Sequence, residues 1–259
     1  MTTPPAPAPA APAPTAPAPT RGRKLLLLAG ILAFVPVGQV LAARWIDPWY
    51  TWTMLERAWE HRADDDGRWF PDYRPMPLDE LGRHVPRAAV ASEDGWFFHH
   101  PGFDCLQIKD ALADAAAGRG SRGASTISQQ VARNVFLWQE RSWLRKGLEA
   151  GYTALLELLV PKERILELYL SVAETGPMTF GFEAGAWRWF NKPASELTAD
   201  EAARLVAILP SPQKWTPDSE SSRRRARQIN DQRVPFPGDP GFDAMVEQAP
   251  SCLWIWFED

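Results

Sequence analysis

Gly123-Ala124-Ser125-Thr126-Ile127-Ser128-Gln129-Gln130-Val131-Ala132-Arg133-Asn134 carries a helix start and a polar face in one run. Thr126-x-x-Gln129 has the spacing of a capping box, in which a hydroxyl and an amide each satisfy a free backbone N–H of the first turn. Beyond it Ile127, Val131, Val135 and Trp138 recur at intervals of four or three, an apolar stripe of helical period. Gln130, Arg133 and Asn134 share a different, polar face. The pattern repeats downstream. Ser142 reads as a cap for a helix carrying Leu144, Leu148, Leu155 and Leu159 toward the core, with Arg145 and Glu149 on the opposite side. Pro161 stops that helix, and Lys162 to Leu170 resumes the period with Ile165, Leu166, Tyr169 and Leu170. Thr198-x-x-Glu201 is a second capping box, opening a helix that Pro210 ends. No stretch alternates strictly for long enough to demand a sheet, so the expected fold class is all-α.

The first 20 residues are almost entirely Pro, Ala and Thr and cannot bury a core. Leu25 to Ala43 then run for 19 positions without a charge, behind Arg21, Arg23 and Lys24. A run of that length can cross a bilayer as a helix. The basic cluster before it predicts a cytoplasmic N-terminus and an exported remainder. Val40-Leu41-Ala42 resembles a signal-cleavage site, but the run exceeds an ordinary signal core and favours an anchor. Trp45, Trp49, Tyr50 and Trp52 follow at the level where aromatics sit in headgroups. The expected organisation is a tail at 1–24, an anchor at 25–43, a catalytic domain at 44–217 and an extension at 218–259. In that extension Arg223-Arg224-Arg225 and Trp254-Ile255-Trp256-Phe257 read as a cap on the domain, a lipid contact or a docking surface. A net charge of −4 argues against general nucleic-acid binding. Between Arg119 and Glu149, however, six basic residues face two acidic ones, which points to an anionic ligand. Cys105 and Cys252 lack metal-ligand spacing, and Cys105 reads as buried and unpaired. Asp64-Asp65-Asp66-Gly67 lacks the alternate spacing of a calcium loop and reads as a turn.

Two more blocks flank the opening run. Glu93-Asp94-Gly95-Trp96-Phe97-Phe98-His99-His100-Pro101-Gly102 sets a carboxylate beside apolar rings, and stripping water from a carboxylate makes it a more effective general base. An acidic pair alone is usually solvated surface. His100, with Gly102 and Asp104, reads as shaping the loop that holds Glu93. Arg145-Lys146-Gly147-Leu148-Glu149 alone would be an exposed i,i+4 ion pair. Order and close spacing lift these residues above that background.

Glu93-Asp94-x-x-Phe97-x-x-His100-x-Gly102, Ser125-Thr126-Ile127-x-Gln129-Gln130-x-x-Arg133-Asn134, Arg145-Lys146-x-x-Glu149 and Lys162-x-x-Ile165-Leu166-Glu167-x-Tyr169-Leu170 together resemble the family-51 glycosyltransferases. The likeness runs from about Leu78 to Trp215, includes Gly181-Phe182-Glu183-Ala184, and is strongest to the monofunctional Gram-negative branch. The resemblance implies a lysozyme-like large lobe and a smaller, membrane-proximal jaw lobe. It implies polymerisation of lipid II onto a lipid-linked glycan chain at the inner membrane, alongside wall-synthesis or division proteins. Glu93 then matches the general base and Glu149 the second carboxylate, where a divalent cation, magnesium or manganese, is admissible though no metal ligand is assigned. Arg133, Arg141, Arg145 and Lys146 match or adjoin the pyrophosphate-binding cations. Ser125, Gln129, Gln130 and Asn134 fall in the substrate-binding helix start, and Asp94, His100, Gly102 and Asp104 are supporting residues. Arg133 stands where many relatives have lysine, Ala124 where a second glycine is common, and Ser171 where asparagine is usual. A lysozyme-like hydrolase also uses two carboxylates, and an inactive membrane-anchored scaffold is the other alternative. A pyrophosphate leaving group needs cations and donors rather than an acid, which favours transfer.

Overall fold

The computed structural model describes residues 21–62, 69–117, 125–140, 142–232 and 234–248. Tail residues 1–20, the Asp64–Asp66 turn, Gly123, Ala124, Arg141 and Cys252 therefore lie outside the described residues. The chain divides after Val37 into an N-terminal unit and a body that begins at Gly38. Helix α1 spans Arg21–Ala43 and contains Pro36. Among the described residues no helix is long and apolar enough to cross a membrane. The side chains of residues 21–29, 32 and 33, much of the run read as an anchor, lie outside that description.

In the body, α2 (Trp52–His61), α3 (His84–Glu93), α4 (Cys105–Ala116), α5 (Ile127–Phe136), α6 (Trp143–Leu159) and α7 (Lys162–Val172) precede α8 (Phe182–Phe190), α9 (Ala199–Ala207), α10 (Glu220–Asp231) and α11 (Phe242–Gln248). The body is mostly helical, as expected, and adds one small three-stranded sheet in the order β1-β3-β2 that the periodicities do not show. Its strands, β1 (Asp72–Tyr73), β2 (Glu174–Gly176) and β3 (Thr179–Phe180), are two or three residues long, too short for alternation to show in sequence. Gly181 leaves β3 at φ +86°, where an added Cβ would meet Ser171 O at 2.7 Å, so only glycine closes this turn. Ser171 itself is buried, and its Oγ has no hydrogen-bond partner among the described residues.

The three caps read from sequence are present. Thr126 and Gln129 close a capping box on α5, Thr198 and Glu201 another on α9, and Ser142 Oγ accepts from Arg145 N at 3.2 Å. Burial works against the Glu201 carboxylate, but hydrogen bonds from Lys192 and Thr198 hold it at about 2. The core gathers Phe97, Ile127, Val131, Leu156, Ile165, Leu166 and Tyr169, with α5 packed on α6 and α7.

On α6 Leu155 and Leu159 pack against the core as expected, but the first two turns face the other way. Arg145, Glu149, Tyr152, Thr153 and Leu156 are buried, while Trp143, Leu144 and Leu148 are 93%, 69% and 39% exposed. Arg145 and Glu149, expected opposite the core-facing leucines, lie inside, and the apolar residues of the first two turns lie outside.

Helix α10 packs on α9 and α3 and brings Ala226 and Ile229 into the same core. Beyond it Phe236 and Phe242 stack edge-on against Phe98 at 5.2 and 5.8 Å, bracing the loop after Glu93. Arg87 of α3 grips Asp239 through both carboxylate oxygens. Those bonds, with one from Phe236 N–H, lower the Asp239 carboxyl from 3.8 to about 2. A depressed carboxylate stabilises the fold above its unfolded value and loses that contribution as pH falls through the folded one. Wild type should exceed Asp239→Asn in urea midpoint at pH 6, with the difference closing between about pH 4 and 2. A difference that stays constant to pH 2 would show that Arg87 does not hold Asp239 in solution.

Cys105 is disulfide-bonded and only partly buried, which corrects its reading as an unpaired core residue. Hydropathy places a small residue in the core but carries no sign of a partner distant in sequence.

Candidate active site

Glu93 is the last residue of α3, and its side chain is 16% exposed. Its Oε2 accepts from Gln130 Nε2 of α5 at 3.2 Å. Its Oε1 accepts from Ser92 Oγ at 3.1 Å and from Arg225 Nη2 of α10 at 3.3 Å.

Asp94 fixes that end of α3 to the start of α5. It is 1% exposed, and its Oδ2 accepts from Ile127 N at 3.0 Å. A carboxylate there satisfies one of the free N–H groups of a helix start and complements the positive end of its dipole. Asp94 Oδ1 pairs with His100 Nε2 at 2.8 Å, while Gly102 N donates to His100 Nδ1 at 3.0 Å. A ring nitrogen that accepts cannot carry a proton, so His100 holds its proton on Nε2 and donates it to Asp94. Gly102 O accepts from Thr126 Oγ1 at 2.7 Å, and Lys162 Nζ donates to His100 O at 2.7 Å. Lys162 also lies over the Phe97 ring and pairs with Glu157 at 2.8 Å. Burial pulls the Lys162 amine below its ordinary range, and Glu157 offsets part of that.

Gly102 is the position this loop cannot replace. Its φ is +87°, and an added Cβ would lie 2.8 Å from both Glu157 Cγ and Thr153 Cγ2 of α6. Asp104 caps the next helix, accepting from Gln107 N at 3.0 Å and from Gln107 Nε2 at 2.9 Å.

On α5, Gln129 is 6% exposed and its Oε1 accepts from Thr126 N at 3.0 Å, so that oxygen closes the helix end. The Ser125 carbonyl accepts from Gln130 at 3.4 Å. Asn134 Oδ1 accepts from Arg133 Nε at 3.3 Å and from Gln139 Nε2 at 3.4 Å. Gln130, Arg133 and Asn134 line a cleft of about 150 Å³ with Arg57, Tyr169 and Glu174. Larger hollows of about 490 and 510 Å³ lie along α3 and residues 234–240, and no sequence-selected residue lines them. The smaller cleft is the better candidate, because several polar groups converge on it from different elements.

Glu149 is 1% exposed and held by two cations. Arg145 Nη1 donates to its Oε2 at 2.7 Å, and Lys146 Nζ to its Oε1 at 2.5 Å. The resemblance admits a divalent cation here, but this donor set does not fit one. Both oxygens already face positive charge, and no trio of ligating side chains surrounds a common point among the described residues.

The sequence shows Tyr169 only as a core and motif residue and Arg225 only as part of a basic run, and it does not single out Arg57, Glu174 or Ser92. Burial, reinforced by Glu93, pushes the Tyr169 phenol well above its ordinary range, so it remains a proton-bearing donor at the cleft. Arg57 Nε donates to Glu174 Oε1 at 3.1 Å. Burial raises the Glu174 carboxyl, and Arg57 counters it. The arrangement offers a hydrogen-bonded carboxylate, amides and cations that suit a polar, anionic ligand.

The family described as Transglycosylase matches residues 71–233. The chain belongs to that family, and the match runs through α10 and includes Arg225. A relative from Xanthomonas campestris pv. campestris (strain B100), named biosynthetic peptidoglycan transglycosylase, is 47% identical over 196 residues, 75% of this chain and 80% of its own. Relatives of the same name from Rhodospirillum centenum and Ectopseudomonas mendocina are 43% and 45% identical over 79% of this chain, and 86% and 85% of theirs.

Proposed function

We propose that this peptidoglycan glycosyltransferase polymerises lipid II into glycan strands with Glu93 as its base. The observation that carries the mechanism is Glu93, whose carboxyl oxygens accept from amide, hydroxyl and guanidinium donors beside a cleft lined with Arg133, Gln130 and Asn134. The 4-hydroxyl oxygen of lipid II attacks the anomeric carbon at the reducing end of the lipid-linked chain. Its proton passes to Glu93 as the new C–O bond forms. The bond to pyrophosphate breaks, and the electron pair leaves on the polyprenyl pyrophosphate. That leaving group carries its own charge and needs cations rather than an acid. Arg133, Arg141, Arg145 and Lys146 supply them, and Glu149 holds Arg145 and Lys146 in place. Cleavage by hydrolysis is the weaker reading, since Glu149 accepts hydrogen bonds from two cations and is not placed to donate a proton.

Substrate and product both carry polyprenyl chains, so the site works at a bilayer. In this reading residues 25–43 anchor the chain in the inner membrane with the body outside the cytoplasm. Trp45, Trp49, Tyr50 and Trp52, each 46–84% exposed, sit in the headgroups. Trp143, Leu144 and Leu148, turned outward on α6, belong to the jaw lobe beside the lysozyme-like large lobe. Truncation should stop at residue 37, because Val40 and Ala43 are buried in the core.

The test is incubation of the full chain and of residues 38–259 with labelled lipid II, in vesicles and in detergent. Polymer is expected from both proteins in detergent. In vesicles the truncated chain should fall behind, because only effective concentration at the surface is lost. Cleavage products in place of polymer would overturn the reaction assigned here, and equal vesicle rates would overturn the anchor.

A further inference from the structure

Glu93 is gripped on both oxygens, but unequally. Ser92 Oγ and Arg225 Nη2 both donate to Oε1, at 3.1 and 3.3 Å, and Arg225 Nη2 also reaches Ser92 Oγ at 3.0 Å. Among the described residues only Gln130 Nε2 donates to Oε2, at 3.2 Å. An ionised carboxylate offers two lone-pair sites on each oxygen. Among the described residues Oε1 has both engaged, and Oε2 keeps one open. We infer that Arg225 is a positioning residue which, with Ser92, closes Oε1 of Glu93 and leaves Oε2 as the oxygen that takes the acceptor's proton. The inference rests on the reading of Glu93 as the base.

The local structure of α10 singles out this arginine. Ser222, Ala226 and Ile229 form its buried stripe. Arg225 borders that stripe and is half-buried, whereas Arg223, Arg224 and Arg227 are exposed, and Arg223 pairs with Asp218 at 3.1 Å. A guanidinium suits the task because it does not give up its proton and its planar fork holds a fixed geometry. It therefore orients the carboxylate without competing for the proton. That proton moves from the sugar hydroxyl to Oε2 and is later released to water, so Glu93 is regenerated at each addition.

The experiment uses the full chain in detergent with labelled lipid II. Arg225→Gln should lower kcat on the order of 10- to 100-fold, the scale of a misplaced reacting group. KM for lipid II and the melting temperature should stay within error of wild type. Arg225→Lys should recover part of kcat, keeping the charge but not the fork. Ser92→Ala removes the other donor to Oε1 without altering α10, and should give a smaller loss of kcat at unchanged KM. In a Glu93→Gln background, measured at high enzyme concentration, Arg225→Gln should cost nothing further, because residues acting through one group are not additive. An unchanged kcat, a raised KM with kcat intact, or a further loss in the Glu93→Gln background would each overturn the inference. The underlying reading fails separately: a folded and active Glu93→Gln protein removes the base whatever Arg225 does. Should Arg225→Gln not fold, Arg225→Lys and Ser92→Ala carry the same kcat and KM test.

Discussion

Glu93→Gln is expected to fold as wild type and to polymerise lipid II about 10²–10⁴-fold more slowly, the range for loss of a general base. The substitution keeps the shape of the side chain and removes only its capacity to take a proton. Its surroundings tolerate the change. The glutamine carbonyl can occupy the Oε1 position and accept from Ser92 and Arg225, which donate there now. Its new N–H then faces Gln130, whose amide can turn to offer oxygen in place of nitrogen. Asp94 holds the end of α3 against α5 independently, through Ile127 N and His100. Turnover of labelled lipid II, beside a thermal melt, checks the expectation. A folded variant with near-normal turnover would show that the proton goes elsewhere.

Local rules carried the reading of this chain a long way. Capping at Thr126, Ser142 and Thr198 depends on residues three apart, so the sequence displays the motif and its spacing together. Glu93, Asp94, His100 and Gly102 stand out together for the same reason, because one run from the end of α3 into the following loop carries them. The failures came where the deciding contact is distant. Arg225 meets Glu93 across 132 positions. Its signal was the phase of Ser222, Ala226 and Ile229, which turns one arginine of the run inward while the others stay exposed. Arg57 meets Glu174 across 117 positions, and no local pattern joins them. On α6 the expectation that leucines face inward holds for Leu155 and Leu159 and fails for Leu144 and Leu148, because the first two turns bury their charges instead. A hydrophobic stripe predicts a core only when water is the sole alternative on the other side. A face turned toward lipid, as proposed for Trp143, Leu144 and Leu148, reverses the rule.

That reversal makes Glu149 the residue whose loss should cost the fold most. Glu149→Ala is expected to destabilise the protein by about 3–5 kcal/mol, the range for breaking a buried ion pair from one side. The two cations it leaves behind differ. Lys146 is 46% exposed and can turn to water, whereas the Arg145 side chain is 9% exposed and cannot. Arg145 Nε already has no hydrogen-bond partner among the described residues, so losing Glu149 removes the carboxylate that offsets its burial. Urea unfolding at constant slope measures the effect. A loss below about 1 kcal/mol would mean that water reaches Arg145 and that the pair is not sealed. A second variant separates support of the fold from support of the reaction. Arg145→Met with Glu149→Leu replaces the pair by apolar groups, which commonly restores or raises stability where a buried ion pair stood. If the charges serve the departing pyrophosphate, this double variant should fold well and still fail to polymerise lipid II. Recovery of turnover along with stability would reduce Arg145 and Glu149 to a structural pair and leave Arg133, Arg141 and Lys146 as the cations that matter.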